Sequence, residues 1–374
     1  MKETQEFQGN ELPDDFAPTL LAWYDTAARD LPWREREDDA YAVWISEIML
    51  QQTTVSTVIP YYNRWMETLP TVESLATAEM EAVLSLWAGL GYYSRARNIK
   101  RTAEIVCETH GGELPRTVDG LSKLPGIGRY TAGAISSIAY GERAPVLDGN
   151  VMRVYSRLLA DSTDIDSTKG IAQLWAVAEA QLPEARVGDF NQALMELGAT
   201  VCLPSTPKCG ACPVRPFCRA YEAGEPQMYP VRSRKTRWID VVDCAAAIER
   251  DGRLLVVKRP EGGVWASLWE LPRATLLDGE TRPECARRAA VESVGLDVVV
   301  GDAVGTVKHV VMNRRIALTC FEAAGDGDPV AVLGRAVEVR WVSDEDTDGM
   351  PFPAPQQKVI ELWRKRGKQR RLSL

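Results

Sequence analysis

Apolar residues recur every three or four positions through roughly the first 220 residues, the period of helices that bury one face. The runs YAVWISEIMLQQTTVSTVIPYYNRWMETL (41–69), EMEAVLSLWAGL (79–90) and SRARNIKRTAEIVCETH (94–110) are examples. Pro, Gly, Asn and Asp punctuate them at short intervals. No alternating strand pattern appears before residue 235. The texture changes at AGEPQMYPVRSRKTR (223–237), rich in proline and cations. After it come β-type runs at 241–249, 253–259, 297–304 and 315–323, with one helical run at 282–295 and another in PQQKVIELWRKRG. The expectation is a helical domain over 15–221, a linker over 222–237, an α/β domain over 238–345, and a C-terminal helix with a basic tail over 346–374.

Length agrees with that division, since 374 residues suit two domains better than one. At 45% hydrophobic and 26% charged, the composition is that of a globular protein. No apolar run reaches the ~18 residues that crossing a membrane needs. The acidic, polar start MKETQEFQGNELPDDF carries no targeting pattern, so a cytoplasmic location is expected, nucleoid-associated if the source is bacterial. The net charge of −8 argues against a uniformly basic nucleic-acid binder. Binding uses a face rather than a sum, however, and cations cluster at Arg95, Arg97, Lys100 and Arg101, at Arg232, Arg234, Lys235 and Arg237, and from Arg364 to Arg371.

Three local patterns carry chemistry. In LPGIGRYTAGAI (124–135), Gly126 and Gly128 separate two helical stretches. Glycine permits a tight hairpin, and the helix beginning near Arg129 would offer its amide end to a phosphate. Four of the eight cysteines, Cys202, Cys209, Cys212 and Cys218, form a C-x6-C-x2-C-x5-C cluster. Four thiolates suit a zinc ion or a 4Fe–4S cluster, and spacing alone does not choose. The remaining four, Cys107, Cys244, Cys285 and Cys320, look like core fillers. Glu47 lies in VWISEIMLQQT among apolar neighbours, where a carboxyl resists ionisation and can serve as a general acid.

Taken together, WISEIMLQQT, LWAGLGYYSRARN, LPGIGRYTAGAI, LDGNVMRV, NQALMELG and the four cysteines resemble the adenine DNA glycosylase (MutY) family. That family belongs to the helix-hairpin-helix base-excision superfamily, and the resemblance runs from about Asp30 to Cys218. It implies a monofunctional enzyme that flips adenine, mispaired with 8-oxoguanine or guanine, out of double-stranded DNA and hydrolyses its glycosidic bond. Glu47 would protonate the adenine, Asp148 would stabilise the sugar cation, and Asn150 would hydrogen-bond beside it. Arg29, Leu31, Trp33 and Gln192 match base-pocket positions, while Gln52 and Tyr92 match residues that wedge into the base stack. Gly126 and Gly128 would meet the DNA backbone, and the cysteines would hold a 4Fe–4S cluster. Tyr130 stands where bifunctional relatives carry the Schiff-base lysine, and a phenol forms no imine. A monomer that avoids membranes is expected.

The segment 251–273 resembles the first strands of a Nudix domain. The matching catalytic helix reads Arg288-Ala-Ala-Val-Glu292-Ser-Val-Gly295, which lacks two of the three carboxylates of the Mg²⁺-binding pattern. The fold is therefore expected without the hydrolase, and the family uses it to recognise 8-oxoguanine. Its recognition loop reads Phe-Ser-His in well-known members; Val307, Lys308 and His309 stand there here. The whole is expected to be multi-domain, α and α+β: a helical glycosylase domain with an iron–sulfur loop, then a Nudix-like α/β domain. Two other readings are an endonuclease III-like glycosylase/lyase acting on oxidised bases and a non-enzymatic DNA-binding scaffold. Tyr130 argues against the first, and the presence of both Glu47 and Asp148 against the second.

Overall fold

A computed structural model describes residues 12–233 and 237–372, with side chains to residue 366. Arg234, Lys235 and the tail cations beyond Arg366 lie outside the described side chains. In chain order the helices are α1 (Phe16–Ala27), α2 (Ala40–Leu50), α3 (Val55–Thr68), α4 (Val72–Thr77), α5 (Met80–Trp87), α6 (Ser94–His110), α7 (Val118–Leu121), α8 (Arg129–Tyr140), α9 (Gly149–Leu159), α10 (Thr168–Ala180), α11 (Val187–Thr200), α12 (Arg219–Glu222), α13 (Arg282–Val294) and α14 (Ala354–Leu372). The strands are β1 (Ile239–Arg250), β2 (Arg253–Lys258), β3 (Trp269–Glu270), β4 (Arg273–Thr275), β5 (Val299–Val311), β6 (Arg314–Ala324) and β7 (Glu338–Val342). Two compact units result. One comprises residues 1–77 and 98–235, the other 78–97 and 236–374.

The first unit is helical among its described residues. Its core joins Phe16 and Leu20 of α1, Val151, Val154, Tyr155 and Leu158 of α9, and Phe190, Leu194 and Leu197 of α11. Helix α2 is buried along nearly its whole length, from Tyr41 to Met49, and so behaves as a central rod rather than a surface helix. The continuous helical run expected over 41–69 breaks at Gln51–Thr54, where Gln52 adopts φ 59°. Left-handed backbone is costly for a residue with a Cβ, and Thr54 and Thr57 join their hydroxyls at 2.9 Å to start α3.

The second unit is built on one seven-stranded sheet with the path β3-β2-β1-β6-β5; β4 pairs with β1, and β7 with β2. Strands β1 and β6 run parallel, while β5 and β6 form an antiparallel pair. Helix α13 starts in a capping box between Thr281 and Glu284 and ends at Gly295, φ 68°. Trp269, Leu271, Leu318 and Phe352 lie in the core on one side of the sheet, Ile248, Ala290 and Val294 on the other. Strands β3, β4 and β7 escape sequence reading, since two to five residues give no periodicity to detect. Cys244, Cys285 and Cys320 are core fillers as expected; Cys107 is only partly buried.

Candidate active site

A cleft of about 1320 Å³ opens in the first unit, lined by Glu47, Tyr130 and Asp148 among others. Glu47 sits on α2 with only 6% of its surface exposed. The Tyr130 hydroxyl on α8 donates to its Oε2 at 2.6 Å and also approaches Met195 Sδ at 3.1 Å. Burial pushes the Glu47 carboxyl up to about 7, the Tyr130 hydrogen bond works against that, and the nearby charge of Asp148 adds to it. Burial, with the Glu47 charge beside it, holds the Tyr130 phenol well above its ordinary range, so it remains a donor. Two helices thus bring a poised acid and its hydrogen-bonding neighbour to one wall.

Asp148 caps the N-terminus of α9. Its Oδ1 accepts from the Val151 amide at 2.7 Å and its Oδ2 from Asn150 Nδ2 at 2.8 Å. Burial raises its carboxyl, whereas these donors favour the charged form. Arg153 Nη2 in turn donates to Asn150 Oδ1 at 3.0 Å and to the Gly198 carbonyl at 2.7 Å. A Cβ on Gly198 would stand 2.6 Å from Asn150 Cβ, so α11 can pack this close to α9 only without a side chain.

Arg29, Leu31, Trp33 and Gln192 all line the same cleft. Trp33 is buried edge-on against Tyr62, with ring centroids 5.5 Å apart. Arg29 grips Glu196 through Nε at 2.6 Å and Nη2 at 2.9 Å. Arg34 donates to the same carboxylate at 2.9 Å and to the Arg29 carbonyl at 2.6 Å. Gln192 is committed at both ends: its Oε1 accepts from Arg34 Nε at 3.4 Å, and its Nε2 donates to Glu37 at 3.0 Å. A base arriving there must exchange one of those partners. Glu196, 1% exposed, escaped sequence reading along with Arg34 and Glu37. The one available signal was Glu196 standing four residues, one helical turn, after Gln192.

Gly126 adopts φ 77°, and a Cβ there would lie 2.7 Å from Asn98 Cβ. Gly128 is the N-cap of α8 with open space where a side chain would go. Cys202, Cys209, Cys212 and Cys218 are free thiols lining one small pocket with Arg157. Arg157 Nη1 reaches Cys202 Sγ at 3.2 Å, and Arg153 Nε donates to the Cys202 carbonyl at 2.8 Å. Among the described residues no group of three or more His, Cys, Asp or Glu side chains is set to hold a metal ion.

Gln52 lines the cleft at its strained turn. Tyr92 belongs to the second unit, half-exposed with φ 46°. Val307, Lys308 and His309 lie not in a loop but inside β5, opposite Leu318, Ala317 and Ile316 of β6. Strand alternation buries Val307 and exposes Lys308. His309 sits 5.6 Å from the Trp265 ring with neither ring nitrogen hydrogen-bonded, and burial lowers its basicity. Glu292, the remaining Nudix-type carboxylate, is held by Arg288 at 3.0 Å and Arg335 at 2.7 Å.

Residues 45–179 match the HhH-GPD superfamily of base excision DNA repair proteins, and residues 244–362 match the NUDIX domain. The human adenine DNA glycosylase is 37% identical over 93% of this chain and 74% of its own length. The Schizosaccharomyces pombe adenine DNA glycosylase is 37% identical over 69% and 68%. Among solved structures, a thermostable thymine-DNA glycosylase superposes with a TM-score of 0.51 at 31% identity, covering 56% of this chain and 95% of its own. The cleft, its buried Glu47 with the partly buried Asp148, and these likenesses agree: the chain belongs to the adenine DNA glycosylase family of base excision repair.

Proposed function

We propose that this protein removes adenine mispaired with 8-oxoguanine or guanine from double-stranded DNA by hydrolysis, without cutting the strand. The observation that carries the chemistry is the pairing of Glu47, buried and titrating near neutrality, with the N-capping Asp148 in one cleft. Glu47 gives its proton to the adenine ring as the C1′–N bond breaks, so that the electron pair leaves on a neutral base. Asp148 faces the developing sugar cation as a carboxylate, oriented by Val151 and Asn150. Water adds to C1′ and loses its proton to the Glu47 carboxylate, restoring the acid. Tyr130 keeps Glu47 in place and offers no amine for an imine, which supports simple hydrolysis over a lyase. Arg29, Leu31, Trp33 and Gln192 bound the base, Gln52 and Tyr92 contact the stack, and the Gly126–Gly128 turn meets phosphate.

The four cysteines hold a 4Fe–4S cluster in this reading. The chemistry of the donors supports it, although the described side chains are not drawn together into a ligand cage: four free thiols line one pocket, and the Arg157 guanidinium is positioned to stabilise a thiolate. The cluster's part is structural, fixing the loop after α11. The second unit reads the lesion strand through Lys308 and His309, as a monomer, with no Nudix hydrolysis because Glu292 is tied to two arginines. Single-turnover excision on duplexes carrying A opposite 8-oxoguanine, guanine and cytosine tests the reading, with strands analysed before and after alkali. Adenine loss from the first two, with nicks only after alkali, is the expected result. Nicking without alkali, or no adenine loss, overturns it.

A further inference from the structure

The segment 78–97 packs with the C-terminal residues, although it lies within the helical part of the sequence. Glu81 of α5 fastens it. The Lys258 ammonium donates to Glu81 Oε2 at 3.0 Å and Trp269 Nε1 to Oε1 at 3.2 Å. Trp269 is fully buried, and the Arg340 guanidinium lies 4.6 Å from its ring centroid. Three further bonds run the length of the segment. Ser85 Oγ donates to the Gly349 carbonyl at 2.9 Å, Tyr93 OH to the Phe352 carbonyl at 3.1 Å, and Arg97 Nη1 to the Ala266 carbonyl at 2.9 Å.

What this staple holds out is Tyr92. Its ring is half-exposed, and its backbone is left-handed at φ 46°, a conformation that persists only where the surroundings impose it. Gly89 and Gly91 beside it also have positive φ. Arg95 donates to the Leu90 and Gly91 carbonyls at 3.2 Å each, and its guanidinium lies between the rings of Trp87, at 5.1 Å, and Tyr92, at 5.7 Å. An exposed aromatic on a rigid, cation-backed tip is a platform for stacking a nucleobase.

We propose that Glu81 is a positioning residue: through Lys258 and Trp269 it makes the C-terminal unit the support for Tyr92, and so governs stacking on the DNA. The inference rests on the DNA reading above and assigns to the second unit a role separate from lesion recognition by Lys308 and His309. It puts part of the DNA-stacking surface under the control of an ion pair within the second unit.

The test is a double-substitution cycle on the full chain, read by equilibrium binding to a mispaired duplex at fixed salt. Tyr92→Ala is expected to weaken binding roughly tenfold, the loss of one stacked base. Glu81→Ala should give a similar loss, and the double variant no more than either alone. Glu81→Gln, which keeps an acceptor for Trp269 and Lys258, should restore most of the affinity. Lys258→Met breaks the staple from the other side and should reproduce Glu81→Ala, which covers the case where Glu81→Ala folds poorly. Losses that multiply in the double variant, or parent-like binding by both Glu81→Ala and Lys258→Met, overturn the proposal. Failure of the parent to release adenine would sink the functional reading instead, and the cycle, read by binding, still decides this one.

Discussion

Glu47 is held out of water with a single phenol donor for company, and that placement sets its pH behaviour. Excision requires the protonated acid, so the single-turnover rate should fall as pH rises through about 7. Glu47→Gln should abolish excision while duplex binding persists, because the amide keeps the shape and has no transferable proton. Linkage gives a second, independent reading. A carboxyl raised from 4.5 to about 7 in the folded state contributes stability that is complete below 4.5 and is lost as pH rises through about 7. Glu47→Gln does not titrate. Denaturation should therefore show the variant gaining on the parent between pH 5 and 8 by on the order of 2 kcal/mol. An unchanged difference across that range would refute the burial argument. Glu196 is the opposite case. Burial alone would raise its carboxyl, but the Arg29 and Arg34 hydrogen bonds outweigh it and hold it below the usual range. Its stabilisation is present above 4.5 and lost as pH falls through the lower folded value. Glu196→Ala leaves two arginines facing an empty pocket wall and should cost about 3 kcal/mol in denaturant unfolding, with excision reduced as Arg29 and Gln192 lose their alignment.

At the scale of elements, α8 and α9 do most to bring the chemistry together, and both depend on close approach. Gly133 of α8 has the Pro145 carbonyl where a Cβ would lie, 2.2 Å away, in the strand of chain leading to Asp148. That neighbour is backbone and cannot swing aside. Gly133→Ala should destabilise by about 2 kcal/mol or more, and excision should fall with it because Tyr130 and Asp148 are pushed apart. A variant with parent-like melting would show that α8 has room to move. Helix α9 was not legible as a helix, since LDGNVMRV stands only as a motif carrying Asp148. Helix α8 was legible because the glycine hairpin marks its start near Arg129, and α6 because its apolar period spans 94–110. The stack of Val307, Lys308 and His309 was not, because a strand extended by bulges at Ala303 carries no clean alternation. Glu47 and Asp148 could be found from motif and apolar context. The Glu196 network could not, since Arg29 and Arg34 meet it across more than 160 positions of chain and nothing local marks the pairing.

The whole molecule divides its work unevenly between two units that do not follow the chain in order. Glu47, Tyr130, Asp148 and Gln192 all belong to the first, so a chain ending at residue 235 retains every residue assigned to bond breaking. It should still release adenine opposite guanine, slowly, and lose its preference for 8-oxoguanine. Sequence alone predicts that much. The interleaved segment 78–97 adds a consequence that a simple two-part chain would not have. Truncation strips Glu81 of Lys258 and Trp269, Ser85 of Gly349, Tyr93 of Phe352 and Arg97 of Ala266. The buried Tyr93 ring and the partly covered Glu81 and Ser85 groups would then face water, and the left-handed turn at Tyr92 would lose what imposes it. Local opening follows the loss of such contacts, and proteases read it. In the truncated chain, trypsin should cut after Arg95 and Arg97 at rates many times those in the full protein, while sites in α9, such as Arg153 and Arg157, stay protected. Duplex affinity should fall by at least the factor seen for Tyr92→Ala, since the contacts of Lys308 and His309 go as well. Equal cleavage of 95–97 in both chains would mean that the segment stands without the C-terminal unit, and the two parts of the sequence would then be independent after all.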